Sequence, residues 1–173
     1  LLPDLRETRV AAGELRDPLG EEVHQVAPGL IRSYPHKALL LVTGDCAAFC
    51  RFCTRARAAG RAGANWTAAL AWLRRTPAIR DVLVSGGDPL TLDDARLQGL
   101  LRSLRDIPHV ELIRIGTKIP AALPQRVTPA LAKLLKKYRP LWLSLHFTHP
   151  AELTPRAAAA CGRLLDAGIP LMN

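Results

Sequence analysis

Lys37-Ala-Leu-Leu-Leu-Val-Thr43, followed at once by Gly44-Asp45-Cys46-Ala-Ala-Phe-Cys50-Arg-Phe-Cys53, is the stretch whose reading decides the fold. Its first half is a near-continuous apolar run, the pattern of a strand covered on both faces in a parallel sheet. Three more such runs follow: Asp81 to Ser85 (DVLVS), Val110 to Ile115 (VELIRI) and Leu141 to His146 (LWLSLH). Between them, stretches of helical period cover Trp66 to Arg75, Leu92 to Arg105, Pro129 to Lys137 and Pro155 to Ala167. Short β-rich runs alternating with helical stretches predict repeated βα units, hence an α/β fold on a parallel sheet.

The helix boundaries carry their own signals. Thr91 is expected to cap the second helix ahead of Asp93 and Asp94, whose charges favour a helix N-terminus. Thr128 before Pro129 and Thr154 before Pro155 set a capping hydroxyl ahead of a proline whose missing N–H does no harm there. Gly168 suits the end of the last helix. Ile169 to Asn173 then reads as the start of a fifth strand. A sheet ending on a half-made strand exposes an apolar edge, so the chain is expected to be part of a longer protein. Residues 1–36, with Pro3, Pro18, Pro28 and Pro35, read as an irregular or part-helical lead-in to a core over 37–173.

A chain of 173 residues with 49% apolar content suits one domain with a sizeable core. It has no apolar run of the roughly 18 residues that a membrane span needs, and Leu1 to Thr8 lack the order of a signal peptide. The chain therefore reads as cytoplasmic. Its 24 Lys and Arg against 15 Asp and Glu give a net charge of +9, but the basic residues are dispersed. The densest group, Arg51, Arg55, Arg57 and Arg61, adjoins the cysteines, where anionic small molecules explain it as well as a polyanion does. With aromatic residues at only 5%, base stacking has little to work with and nucleic acid is the weaker reading.

Three of the four cysteines fall within eight residues, which suits metal better than a disulfide framework. Cys46, Cys50 and Cys53 form a CxxxCxxC loop just after a strand. Three thiolates from one loop can hold three irons of a four-iron cluster and leave the fourth without a protein ligand. A structural zinc ion wants four ligands, and no Cys or His follows Cys53 closely enough to complete a local site. A thioredoxin-like pair at Cys50 and Cys53 leaves Cys46 without a role. Inert buried thiols do not gather in such a loop, whereas Cys161, on the last helix, reads as one.

One βα unit later, Ser85-Gly86-Gly87-Asp88-Pro89 ends a strand. Its glycines permit close backbone approach to a ligand, and Asp88 offers an acceptor at the carboxyl edge of the sheet. The two motifs together resemble the radical S-adenosylmethionine superfamily. That resemblance implies a 4Fe-4S cluster whose open iron is chelated by S-adenosylmethionine, with Gly86, Gly87 and Asp88 near the amino group of that cofactor. Cleavage of the sulfonium then releases a 5'-deoxyadenosyl radical. The implied fold is a partial (β/α) barrel of the radical SAM, TIM-barrel-like type, with four βα units and the start of a fifth.

Longer stretches narrow the resemblance. Asp17-Pro18-Leu19, Pro28-Gly29-Leu30, Tyr34-Pro35, Cys50 to Arg55, Ile107 to Glu111, Arg114-Ile115-Gly116, Leu123 to Thr128 and His146-Phe147-Thr148-His149-Pro150 are similar to the lysine 2,3-aminomutase family. That family also uses pyridoxal 5'-phosphate, which holds the substrate amino acid while its nitrogen moves from the α to the β carbon. The resemblance makes Arg55 the partner of the substrate carboxylate, a task for which a bidentate fork is suited. It sets Tyr34 and Lys37 against pyridoxal phosphate, with Ser33 standing where a basic residue is usual and Arg32 as the substitute. It sets His146 near S-adenosylmethionine.

The lysine that binds pyridoxal phosphate, and the carboxylates that select the substrate ammonium, match no position here; Lys118 does not lie in the corresponding motif. The chain alone is expected to lack aminomutase activity. The implied partners are a small amino-acid substrate and an electron donor such as flavodoxin or ferredoxin, with homo-oligomerisation left open. Related alternatives are the lysine mutase that serves elongation factor P, which Thr54 disfavours, and the glutamate and arginine aminomutases. From another class, a basic metal-binding module contacting RNA remains the rival.

Overall fold

Apolar runs at strand period and leucines at helix period build a single sheet with helices packed on it. The computed structural model describes residues 5, 9, 11–15, 17–56 and 65–173. Arg57 and Arg61 of the basic group, and most of residues 1–8, lie outside them. The strands are β1 (Gln25–Ala27), β2 (Leu30–Tyr34), β3 (Lys37–Thr43), β4 (Asp81–Gly86), β5 (Leu112–Thr117), β6 (Leu141–Leu145) and β7 (Leu171–Met172). The helices are α1 (Thr67–Arg74), α2 (Asp94–Arg105), α3 (Ile119–Ala122), α4 (Pro129–Lys136) and α5 (Pro155–Asp166).

All seven strands pair in chain order. β3 to β7 are parallel, while β1 and β2 form a hairpin that adds antiparallel to the free edge of β3. The lead-in is thus partly sheet. Leu30 and Ile31 are buried there, and Gly29, at a φ of 71°, makes the tight reversal between the two strands.

Parallel neighbours in chain order, joined by right-handed crossovers, carry their helices on the same face of the sheet. Burial follows that rule. Ala38, Leu40 and Val42 of β3, Val82 and Val84 of β4, Ile113 and Ile115 of β5, and Leu141 and Leu143 of β6 are buried in the core beneath the helices. The alternating residues Leu39, Leu41, Leu83 and Arg114 are half-buried and Trp142 is exposed. The expectation of strands covered on both faces is therefore corrected: only one face is fully covered. On the other face Arg114 pairs with Asp81 of the adjacent strand, Nε to Oδ1 and Nη2 to Oδ2 both at 2.9 Å.

On α2, Leu97, Leu100, Leu101 and Leu104 recur at i, i+3, i+4 and i+7 and are fully buried. Each such leucine contributes about 1.5–3 kcal/mol by leaving water. The cap of α2 is Asp93, whose Oδ1 accepts from Arg96 N at 2.8 Å, and not Thr91. Thr91 instead closes a 3-10 turn at Pro89–Thr91, its hydroxyl donating to Asp88 O at 2.7 Å. Thr128 and Thr154 cap α4 and α5 as expected. At the end of α2 the Arg105 guanidinium donates to the carbonyls of Val110, Glu111, Tyr138 and Pro140, holding together the approaches to β5 and β6. No helix of the described residues is long and apolar enough to cross a membrane.

Candidate functional site

The carboxyl ends of β3, β4, β5 and β6 open onto one cleft of about 500 Å³. One wall is the loop after β3, which carries Cys46, Cys50, Cys53 and Arg55; facing it are Gly86 to Asp88, Thr117, Lys118 and His146. Carboxyl ends of parallel strands are where α/β folds place their ligands, because strand ends and loops converge there.

The cysteine loop is held at its root. Gly87 N donates to Thr43 O and Asp88 N to Asp45 O, both at 2.7 Å, and Asp45 N donates to the Thr43 hydroxyl at 3.1 Å. A Cβ on Gly87 would stand 2.1 Å from Asp45 O, and one on Gly86, whose φ is 119°, 2.5 Å from Thr43 O. The close approach that these glycines permit is thus to the chain's own backbone beneath the cysteines. Further along, Cys53 N donates to Cys50 O at 3.0 Å, closing the turn between the last two thiols.

Asp88 is buried, and both its carboxylate oxygens are occupied. The Thr117 hydroxyl, Lys118 N, Ile119 N and Leu90 N all donate to it. Burial raises its pKa, and these donors, Thr117 foremost, oppose the rise. Its carboxylate therefore ties the end of β4 to the end of β5 while the turn around it lines the cleft.

The thiols feel the same enclosure. Burial pushes Cys46 up to about 11, with the negative charges of Asp88, Cys53, Cys50 and Asp45 adding to it. Burial also raises Cys50, partly offset by the Lys118 ammonium. Such thiols are protonated near neutral pH and become thiolates when a metal displaces the proton. All four cysteines are free, and Cys161 lies on α5, away from the cleft.

Arg55 lines the cleft with its guanidinium against Glu21, Nε to Oε1 at 2.8 Å and to Oε2 at 3.0 Å, Nη2 to Oε1 at 2.7 Å. The His146 ring meets Phe52 edge-on at 5.5 Å between centroids. Lys118, which sequence reasoning left aside, reaches both Glu152 oxygens at 2.8 Å and the His146 carbonyl at 2.8 Å. Lys118, Glu152, Thr117 and Glu21 are the site residues that the sequence reading missed. Only Lys118 and Thr117 had a signal, their position at a strand's carboxyl end.

Tyr34 and Lys37 are not brought to this cleft. They pair across β2 and β3 at the amino end of β3, with Lys37 Nζ 5.9 Å from the Tyr34 ring centre. Strands rise about 3.3 Å per residue, so the cysteine loop begins roughly 20 Å away. Arg32 donates to Pro35 O at 3.1 Å and lies over the Trp72 ring.

Comparison with known proteins adds the decisive observation. The chain is 46% identical over 177 aligned residues to L-lysine 2,3-aminomutase of Fusobacterium nucleatum, covering 99% of this chain and 42% of that protein. The L-lysine 2,3-aminomutase of Clostridium subterminale matches at the same identity and coverage. The chain belongs to the lysine 2,3-aminomutase family. Glutamate 2,3-aminomutase of Clostridioides difficile is also similar, at 41% over 162 residues, 91% of this chain and 38% of that protein. No protein-family model matches the chain. The chain thus spans less than half the length of these lysine 2,3-aminomutase relatives.

Proposed function

We propose that this chain is the cluster-binding part of a radical S-adenosylmethionine aminomutase that moves the α-amino group of a free amino acid, L-lysine in the first instance, to the β carbon. The observation that carries the reading is that Cys46, Cys50 and Cys53 share one cleft with Arg55 at the carboxyl ends of four adjacent parallel strands. The in-order sheet with its helices on one face suits a partial (β/α) barrel of the radical SAM type.

The residues fit a 4Fe-4S cluster by their chemistry. Among the described residues no three His, Cys, Asp or Glu are gathered to hold a single metal ion. A four-iron cluster takes one thiolate per iron, so its three cysteines need a shared wall and not a common point. With S-adenosylmethionine at the open iron, such a cluster supplies the 5'-deoxyadenosyl radical that abstracts a substrate hydrogen. The chain's own part is to hold and orient. Gly86 and Gly87 lock the root of the cysteine loop, and Asp88 fastens β4 to β5. His146 and Phe52 wall the S-adenosylmethionine side, and Arg55 offers its fork to the substrate carboxylate.

Pyridoxal phosphate fits this cleft less well. Tyr34 and Lys37 lie at the opposite edge of the sheet, so no step is assigned to them. Reducing power comes from an external one-electron donor, and the cytoplasm is the compartment that keeps such thiols reduced.

Anaerobic reconstitution tests the reading. The expected result is brown protein with about four irons per chain and 5'-deoxyadenosine formed from S-adenosylmethionine under dithionite. Cys50→Ala is expected to abolish both; a variant that keeps cluster and cleavage would refute it. Conversion of L-glutamate but not L-lysine by the intact natural protein would move the substrate to the glutamate branch.

A further inference from the structure

Glu21 and Asp88 are the two buried carboxylates among the described residues, and each holds a part of the cleft. Asp88 holds a backbone junction. Glu21 holds a side chain, and its own place is set by a tight turn. Gly20, in the left-handed region at a φ of 62°, donates to Asp17 O at 3.2 Å, and Glu22 N donates to the Asp17 carboxylate at 2.8 Å. The turn delivers Glu21, 6% exposed, to a residue 34 positions further along the chain.

The geometry of that contact is specific. A guanidinium has two edges that can grip a carboxylate with paired donors, the side edge of Nε and Nη2 and the end edge of Nη1 and Nη2. Glu21 takes the side edge. Among the described residues no hydrogen bond from the end edge to another group is present, and Arg55 lines the cleft. A buried ion pair seldom justifies its desolvation by stability alone, since apolar packing serves that purpose as well.

We infer that Glu21 is a positioning residue: by gripping the side edge of Arg55 it aims the end edge into the cleft as the receptor for the carboxylate of the amino-acid substrate. This rests on the proposed pairing of Arg55 with that carboxylate. Without Glu21 the guanidinium keeps its charge but loses its orientation. The consequence is a loss of selectivity for the ligand's carboxylate, with the rest of the ligand's binding unchanged.

The test is a two-ligand binding cycle on the intact natural protein, reconstituted anaerobically and kept without reductant so that nothing turns over. The ligands are L-lysine and cadaverine, the diamine that lacks only the carboxylate, measured by calorimetry. Wild type is expected to prefer L-lysine, and Glu21→Gln to shrink that preference by about tenfold while cadaverine binding stays unchanged. Equal losses on both ligands, the mark of a merely structural role, would overturn the inference, as would an unchanged preference. If Glu21→Gln fails to retain iron, Glu21→Asp is compared in the same cycle. Its carboxylate is one methylene short, so a smaller drop in preference is expected, and no drop overturns the inference. Arg55→Lys separates the two readings. Preference retained in Arg55→Lys sinks the role of Arg55 itself, whereas preference lost there but retained in the Glu21 variants sinks only the role of Glu21.

Discussion

Thr117 and Asp88 join β5 to β4 at the floor of the cysteine cleft, the threonine hydroxyl donating to both carboxylate oxygens at 2.8 and 2.9 Å. Both residues are buried. Thr117→Val removes the hydroxyl at nearly constant volume, leaves part of a buried carboxylate unmatched, and should cost about 1–3 kcal/mol. Urea denaturation of the variant measures it. It also removes the donor that most opposes the burial-driven rise in the Asp88 pKa, so that pKa should climb further.

The glycines make a sharper prediction. Gly87→Ala puts a Cβ against the Asp45 backbone, which no rotamer change can relieve. The loop root must move, and at least about 2 kcal/mol of stability should be lost together with iron retention. Gly99, on the exposed side of α2 with nothing near its would-be Cβ, provides the contrast. Gly99→Ala should stabilise by about 0.5–1 kcal/mol and leave iron content unchanged. Thermal melting with iron analysis on the pair checks both.

Lys118 and Glu152 should add to the loss of stability in acid. The Lys118 hydrogen bond leads the effects that hold Glu152 down at about 2, against a usual value of 4.5. A depressed carboxylate contributes stability that is fully present above its unfolded pKa and fades as pH falls through the folded one. The contribution should therefore be complete above about pH 4.5 and disappear toward pH 2. Glu152 is partly exposed, so added salt should weaken the effect. Glu152→Gln should flatten the difference in denaturant midpoint between pH 6 and pH 3; an unaltered slope would count against the pair.

The cysteines should divide three to one. Cys46, Cys50 and Cys53 line the cleft, whereas Cys161 sits on α5. Cys161→Ala should leave iron content and 5'-deoxyadenosine formation as in wild type, while Cys53→Ala loses both. Iron loss in the Cys161 variant would contradict the division.

Much of the fold was legible because it is local. The four apolar runs became β3 to β6, the periodic stretches became α1, α2, α4 and α5, and the threonine–proline caps stand where the residue types call for them. The hairpin of β1 and β2 was not legible, because its strands are short and broken by Pro28-Gly29, and only β2 is anchored on the edge of β3. Thr91 yielded the cap to Asp93 because its hydroxyl is drawn back to Asp88.

By itself the sequence determined the alternation of elements and the CxxxCxxC loop after a strand, since hydrophobic period, capping chemistry and thiol spacing are properties of neighbouring residues. Only the tertiary structure decided which groups meet. It set Gly86 and Gly87 against the chain's own backbone, enclosed the Asp88 carboxylate among four donors, and left Tyr34 and Lys37 at the far edge of the sheet. It also brought Glu21 to Arg55 and Lys118 to Glu152. The physical reason is that an ion pair across some thirty residues leaves no periodic trace in the chain. It exists only once parallel strands have brought their carboxyl ends to one edge and burial has made an unpaired charge too costly to leave there.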